Sequence, residues 1–198
     1  MRFTQREIKE LIISTVVLAF AFSRIINIGD FITNFLASLF ILTVVFVPHE
    51  LLGHKLIAQR FGCHAEYRMW KTGLIIAIIG SLFGVVFAAP GAVMIFPGIR
   101  KEFAWTIHRI TSKEMALIAL AGPIVNIIFG FALIGLLFTS LPYAAIIYTA
   151  ARISFFLALF NLLPFGPLDG AKILNYSWKL WGIGMALAAG GYLVLGII

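Results

Sequence analysis

Long apolar runs separated by short polar segments dominate this chain, and they predict helices that cross a membrane. A helix needs about 20 mostly apolar residues to span the hydrocarbon core of a bilayer. Five segments meet this requirement. These predicted spans are residues 7–27, 32–60, 112–139, 143–165 and 178–198. The pattern therefore predicts an all-α, multi-pass membrane protein.

A further apolar stretch, residues 73–96, does not follow the pattern of a helix. Glycines and Pro90 interrupt it, and its second half is rich in the β-branched and aromatic residues that favour strands. Irregular backbone at membrane depth is stable only when it packs in protein or lines a wet cavity. We therefore predict a re-entrant, strand-containing segment beside a water-accessible pocket; an ordinary spanning or amphipathic helix is the alternative.

The positive charges favour a segment that returns to the side from which it entered. With residues 73–96 re-entrant, 13 of the 15 lysines and arginines lie on one side, and only Arg24 and Arg152 are left over. If the segment spans instead, the division becomes almost even. Because Lys and Arg are enriched in cytoplasmic segments, the count predicts a cytoplasmic N-terminus. We expect the protein to lie in the cell membrane.

Composition agrees with a membrane protein. The chain is 62% hydrophobic and 12% charged, whereas soluble domains carry about 25% charged residues. Its net charge of +7 is dispersed between the apolar runs and is not gathered on one face. We therefore expect the lipid bilayer and no nucleic acid as a partner. The chain is predicted to form one membrane domain, residues 1–198, with a core at about 32–175 and no soluble accessory domain.

Six of the eight carboxylates, among them Glu7 and Glu10, lie in polar termini or loops, and the other two are Glu50 and Asp169. Glu50 is inside the predicted helix 32–60, and Asp169 closely follows the helix 143–165. Ionisable groups at such depth are costly and indicate function. Glu50 is flanked by His49 and His54, and a zinc peptidase helix needs two imidazoles on one face with a carboxylate that takes a proton from water.

The two histidines are five residues apart, one more than in the usual zinc peptidase helix. In an undistorted α-helix this spacing turns the rings about 140° apart. Three interpretations are open. A π-bulge near Gly53 brings both rings to one metal ion; or Glu50 and His54 share a face and His49 acts elsewhere; or no metal binds and the histidines are polar residues of the bundle.

The predicted topology brings Asp169 to the same side as the histidines. The helices 32–60 and 143–165 both run towards the cytoplasm, and two prolines and two glycines end the second one before Asp169. This is the side on which a third ligand to the same metal must lie.

Three motifs, taken together and in this order, resemble the site-2 protease family of intramembrane metalloproteases. They are the His-Glu helix at His49, Ala121-Gly122-Pro123-Ile124-Val125-Asn126, and Phe160-Asn161-Leu162-Leu163-Pro164 leading into Pro167-Leu168-Asp169-Gly170. The resemblance covers about residues 35–175. It implies that His49, His54 and Asp169 bind one Zn²⁺ and that Glu50 is the general base.

The resulting hypothesis is a zinc endopeptidase that hydrolyses peptide bonds in or near the transmembrane segments of membrane-protein substrates. Asn126 and Asn161 are amides at membrane depth and candidates to bind substrate or stabilise the oxyanion; hydrogen bonding between helices is the alternative. A rival hypothesis is a transporter or channel that uses the His/Glu/Asp cluster as a proton or metal-ion relay. A third is an inactive relative that acts as a membrane scaffold.

Overall fold

Helices make up most of the computed structural model, which describes residues 3–97, 99–100, 106–107, 110–139 and 141–197. The helical elements are α1 (Gln5–Ser23), α2 (Phe31–Pro48), a π-helical segment (His49–Lys55), α3 (Leu56–Arg60), α4 (Lys71–Leu82), α5 (Ser112–Leu137), α6 (Ala144–Asn161), α7 (Asp169–Tyr176) and α8 (Trp178–Val194). The strands are β1 (His64–Met69), β2 (Gly91–Phe96), β3 (Ile99–Arg100) and β4 (Thr106–Ile107).

Three helices in the described part of the chain are long and apolar enough to cross a membrane. They are Phe31–Arg60, in which α2, the π segment and α3 run on without a break, Ser112–Leu137 and Ala144–Asn161. The helical, membrane-protein class is thus confirmed, but the predicted count of five spans is not. The charged first turns of α1 shorten its apolar part, and α8 has 17 residues. That length is about 26 Å, against a hydrocarbon core of about 30 Å.

The predicted strand within residues 73–96 is confirmed, and a helix precedes it. The first part of this stretch, up to Leu82, belongs to helix α4. Strand β2 then pairs antiparallel with β1, with Phe96 opposite His64 and Gly91 opposite Met69. A small two-stranded sheet, β1–β2, therefore accompanies the helices. Gly91 permits the close pairing, because a Cβ there would overlap the Arg68 carbonyl oxygen.

Helix α5 is the central element, and it packs against α6, the π segment, α7 and α8. The fully buried ring of Phe155 fills the space between α5, α6 and α8. Two glycines make room for this ring, since a Cβ on either Gly130 or Gly191 would overlap it. Packing at membrane depth thus relies on small residues that let helices approach closely.

This packing predicts a difference between two adjacent glycines of α8. Gly191→Ala places a methyl group against the Phe155 ring and should destabilise the fold by about 1–3 kcal/mol, as overpacking does. Gly190→Ala is the matched control, because a Cβ there meets nothing within 4 Å. Alanine also favours a helix over glycine, so this control should be neutral or slightly stabilising. Unfolding of the purified protein in mixed detergent micelles measures both; equal stabilities would contradict the packing described.

Candidate metal centre

The chain from His49 to Lys55 is π-helical, which agrees with the first of the three interpretations of the five-residue spacing. A π-helical turn bonds residues five apart rather than four, so it absorbs the extra residue. Pro48 has no backbone N–H, and the α-helical bond to the Val44 carbonyl is therefore missing where the wider turns begin. The two rings converge, with 3.1 Å between the Nε2 atoms of His49 and His54. The rings are therefore not turned about 140° apart, as they would be in an undistorted α-helix.

Two glycines let α5 pass directly beneath the histidine rings. A Cβ on Gly53 would lie 2.6 Å from the Cα of Gly122. A Cβ on Gly122 would overlap Nε2 of His54 and lie 2.8 Å from Nε2 of His49. The sequence marked Gly122 only as part of a motif and Gly53 only as the place of the bulge. Glycines within two apolar helices are typical of a close helix crossing, and this pattern could have predicted the contact.

Asp169 comes from the first turn of α7 and completes the cluster. Its Oδ2 atom lies 3.1 Å from Nε2 of His54, and its Oδ1 atom accepts a hydrogen bond from Nζ of Lys172 at 3.0 Å. The following Gly170 packs on the end of α6, where a Cβ would overlap the Leu162 carbonyl oxygen. The Asp-Gly pair therefore places the carboxylate by letting α7 start against α6.

His49, His54 and Asp169 fit a zinc ion by their chemistry and their separation. Two imidazole nitrogens and one carboxylate oxygen form a donor set that zinc accepts. Tetrahedral ligands about 2.0–2.1 Å from zinc lie about 3.3 Å from one another, and the ligand atoms of these three residues all lie within 4.8 Å of one another. All three side chains are buried, with exposed fractions of 1%, 6% and 8%. The cluster is thus compact enough to hold one ion.

A backbone carbonyl orients the second histidine. Nδ1 of His54 lies 2.8 Å from the carbonyl oxygen of Ile118 on α5. A proton on Nδ1 that is donated to this oxygen leaves the lone pair of Nε2 free for a metal, as in most metal-binding histidines. The helix that approaches through Gly122 therefore also fixes the ring.

Glu50 faces a cavity of about 490 Å³ that also reaches two of the three candidate ligands, His54 and Asp169. It is 4% exposed, and its Oε2 atom has no hydrogen-bond partner within the described residues. A buried carboxylate oxygen without a partner is costly unless a ligand or a reaction uses it. Burial raises the pKa of the Tyr67 hydroxyl far above its ordinary value, and the Glu50 carboxylate raises it further, so Tyr67 stays protonated.

The two candidate asparagines lie in different places. Asn161 lines the cavity, and one N–H of its amide donates to the Leu157 carbonyl at 2.9 Å. Asn126 is fully buried, and its amide has no hydrogen-bond partner in the part of the chain that the structure describes. It is not among the described residues that line the cavity. The fold brings Asn161 to the centre and leaves Asn126 inside the bundle.

Carboxylates of α1 cover one edge of the small sheet. Glu7 accepts the backbone N–H of Tyr67 at 2.9 Å, and Glu10 accepts that of Met69 at 3.0 Å. Glu7 also pairs at 2.5 Å with Lys55, the fully buried residue that follows His54. The helix α1 is thereby tied to both the sheet and the candidate metal helix. Sequence reasoning missed this role, because it treated both glutamates as residues of a polar terminus.

The other edge of the sheet faces the cavity. Residues directly opposite in an antiparallel pair turn their N–H groups both inwards or both outwards. Tyr67 turns its N–H outwards to Glu7, so Val93, opposite it, turns its own N–H outwards from the far strand. Residues 91–95 of β2 line the cavity. The sheet thus has one edge closed by carboxylates and one edge directed at the candidate metal centre.

An apolar helical protein that gathers two histidines and an aspartate around one point, with a glutamate facing the same cavity, has the arrangement of a membrane metallohydrolase. Comparison with known proteins agrees. The profile described as "Peptidase family M50" matches residues 140–186, which include Asp169. The chain is also 36% identical over 202 residues to a Methanocaldococcus jannaschii protein named "Putative zinc metalloprotease MJ0611", covering 98% of this chain and 95% of the relative. No solved structure matches.

The chain belongs to peptidase family M50, the site-2 proteases. It is a zinc metalloendopeptidase. The predicted family, enzyme class and cofactor are thereby confirmed.

The crossing at Gly122 predicts loss of metal when a methyl group is added there. Gly122→Ala places a methyl group at the imidazole nitrogens and should lower bound zinc from about one ion per chain to less than about one tenth of that. Gly135→Ala, on the same helix, is the control, because a Cβ there meets nothing within 4 Å. Elemental analysis of detergent-purified protein measures the zinc. Full zinc occupancy in Gly122→Ala would show that the rings do not meet over α5.

Proposed function

We propose that this protein is an intramembrane endopeptidase that cuts membrane proteins within or near their transmembrane segments. In this proposal His49, His54 and Asp169 hold one Zn²⁺, and Glu50 is the general base. The observation that carries it is the unpartnered oxygen of Glu50, buried in a cavity beside three donor groups at metal-ligand separation. This constellation has the parts that peptide hydrolysis needs.

The chemistry of the proposed reaction divides between the ion and the side chains. A zinc ion with three protein ligands supplies Lewis acidity towards the scissile carbonyl and makes water more acidic. Glu50 accepts the proton of the attacking water and then delivers it to the departing amide nitrogen. Asn161 lines the cavity and has a second amide N–H that is not used on Leu157. In this proposal that N–H donates to the carbonyl oxygen as negative charge develops. Lys172 holds Asp169 by its other oxygen.

The open edge of β2 suggests how the substrate is held. A peptide bond within a helix is shielded by the helix itself, so a transmembrane substrate must unwind locally before it can be cut. An extended segment can add to β2 by backbone hydrogen bonds, the general mode of strand addition. It would then lie along the cavity that reaches Glu50.

The position of the centre along its helix supports cleavage at membrane depth. His54 and His49 lie about 9–16 Å from the Arg60 end of the apolar helix Phe31–Arg60, at about 1.5 Å per residue. The pairing of β2 with β1 supports a return of residues 73–96 to the face from which they left. With the distribution of Lys and Arg, this favours a cytoplasmic N-terminus and a centre in the cytoplasmic half of the membrane.

Replacement of Glu50 tests the proposal directly. Glu50→Gln keeps the size of the side chain but cannot take up a proton, so cleavage should fall by about 10²–10⁴-fold while zinc stays near one per chain. The assay is cleavage of a single-pass membrane substrate by purified protein, with elemental analysis of the same sample.

Glu114→Gln is the control, because glutamine also serves at this capping-box position at the start of α5. It should retain both zinc and activity. An active Glu50→Gln enzyme would remove Glu50 from the mechanism, and zinc-dependent ion flux without cleavage would favour the transporter hypothesis.

The open strand edge gives a second test. Val93→Pro removes an N–H that points away from β1, so the β1–β2 ladder and the zinc should remain while cleavage falls at least about tenfold. Val93→Ala is the control, since it shortens the side chain but keeps the N–H and should stay close to wild type. Steady-state cleavage and zinc content are measured for both variants. If Val93→Pro cleaved normally, the substrate would not pair with this edge.

A further inference from the structure

A second cavity, of about 410 Å³, lies at the end of the bundle away from the candidate metal centre. Helix α1 starts beside the metal helix, where Glu7 contacts Lys55, and it ends at Ser23. The loop after α1 therefore lies at the opposite end. It lines this cavity together with residues of α6 and α8, among them Ile25, Asn27, Tyr148, Arg152, Phe156 and Tyr192. Nothing in the proposed peptidase reaction uses this place.

Arg152 is exposed and gives the cavity a positive charge. Its Nη2 atom donates to the Tyr192 hydroxyl at 3.1 Å, and the guanidinium lies 5.8 Å and 5.6 Å from the ring centroids of Tyr148 and Tyr192. Within the described part of the chain, no carboxylate lies at ion-pair distance from it. The tyrosines hold the guanidinium in place, but they carry no negative charge to balance it.

The guanidinium is directed towards the membrane surface at the end of the bundle away from the candidate metal centre. Arg152 is eight residues into α6, about 12 Å from the start of that candidate span. Side chains of a helix slope towards its N-terminus. The Arg152 guanidinium accordingly lies over the ring of Tyr148, which is one turn nearer to the N-terminus of α6. A long cationic side chain thus extends from membrane depth to the level of lipid headgroups. At that level the phosphates of anionic lipids are within reach of the charge and attract it.

We propose that this cavity is a binding site for one membrane phospholipid, whose phosphate lies on Arg152. The planar fork of a guanidinium matches two phosphate oxygens. The Tyr192 hydroxyl accepts from Arg152 and keeps its own hydrogen to donate, and the Asn27 amide is a further donor in the cavity wall. Apolar side chains complete the wall, and Ile25 is 45% exposed. This combination fits a phosphate that carries acyl chains better than it fits a free phosphate ion.

The test uses the full-length protein, purified in mild detergent and stripped of lipid. The probes are phosphatidylglycerol, the diacylglycerol with the same acyl chains, and inorganic phosphate, with binding measured by native mass spectrometry. We expect one phosphatidylglycerol per chain and at least about tenfold weaker binding of diacylglycerol, which lacks the phosphate. Inorganic phosphate at millimolar concentration should not displace the lipid.

Variants distinguish this site from general lipid association. Arg152→Gln should weaken phosphatidylglycerol binding at least about tenfold, and Arg152→Lys should weaken it less, because it keeps the charge but loses the fork. Arg24→Gln is the matched control: it removes an exposed cation at the same end of α1 that is not among the described cavity-lining residues, and binding should not change. Zinc content equal to wild type shows that each variant is folded.

Three results would overturn the proposal. Binding of phosphatidylglycerol that Arg152→Gln leaves unchanged would mean that the phosphate lies elsewhere. Equal binding of diacylglycerol would reduce the site to an apolar crevice. Displacement of the lipid by an acidic transmembrane peptide at equimolar concentration would assign the cavity to a protein partner.

Discussion

The contact on which the rest of this structure depends is the crossing of two backbones at Gly53 and Gly122. Here the helix that carries the histidines touches α5 with no side chain between them. The crossing needs the π-helical turn, which places both rings over the same point, and it needs two residues without a Cβ. Because α5 also contacts α6 and α7, the same crossing sets the distance from the histidines to Asp169. Residues far apart in the sequence thus form one compact donor set.

Several features followed from the sequence because one physical constraint determined each of them. The length of the apolar runs predicted the helices, and β-branched residues after Pro90 predicted β2. The five-residue spacing suits a shared metal only in a wider helical turn, and the π segment provides one. The breakers before Asp169 predicted the end of α6. The sequence did not predict the features that depend on which helix faces meet. Asn126 and Asn161 both lie in apolar segments, yet of these two described residues only Asn161 lines the cavity.

The polar contacts of α1 show why local patterns were insufficient there. In the sequence, Glu7 and Glu10 belong to a charged helix start, where acidic residues are common for reasons of capping and dipole. In the fold they accept N–H groups from a strand about sixty residues away, and Glu7 binds a buried lysine. A buried ion pair of this kind contributes little net stability but disfavours other arrangements. These contacts join β1 to α1 and α1 to the helix that carries the histidines.

The closed and open edges of the small sheet have a consequence for selectivity. Main-chain groups are the same in nearly every residue, so an enzyme that captures its substrate along β2 obtains little information from side-chain identity. Discrimination then shifts to the conformational free energy of the incoming segment. Transmembrane helices that are already weakened by glycine, proline or polar residues would reach the extended form at lower cost. Such a peptidase would distinguish its substrates by how readily their transmembrane helices unwind.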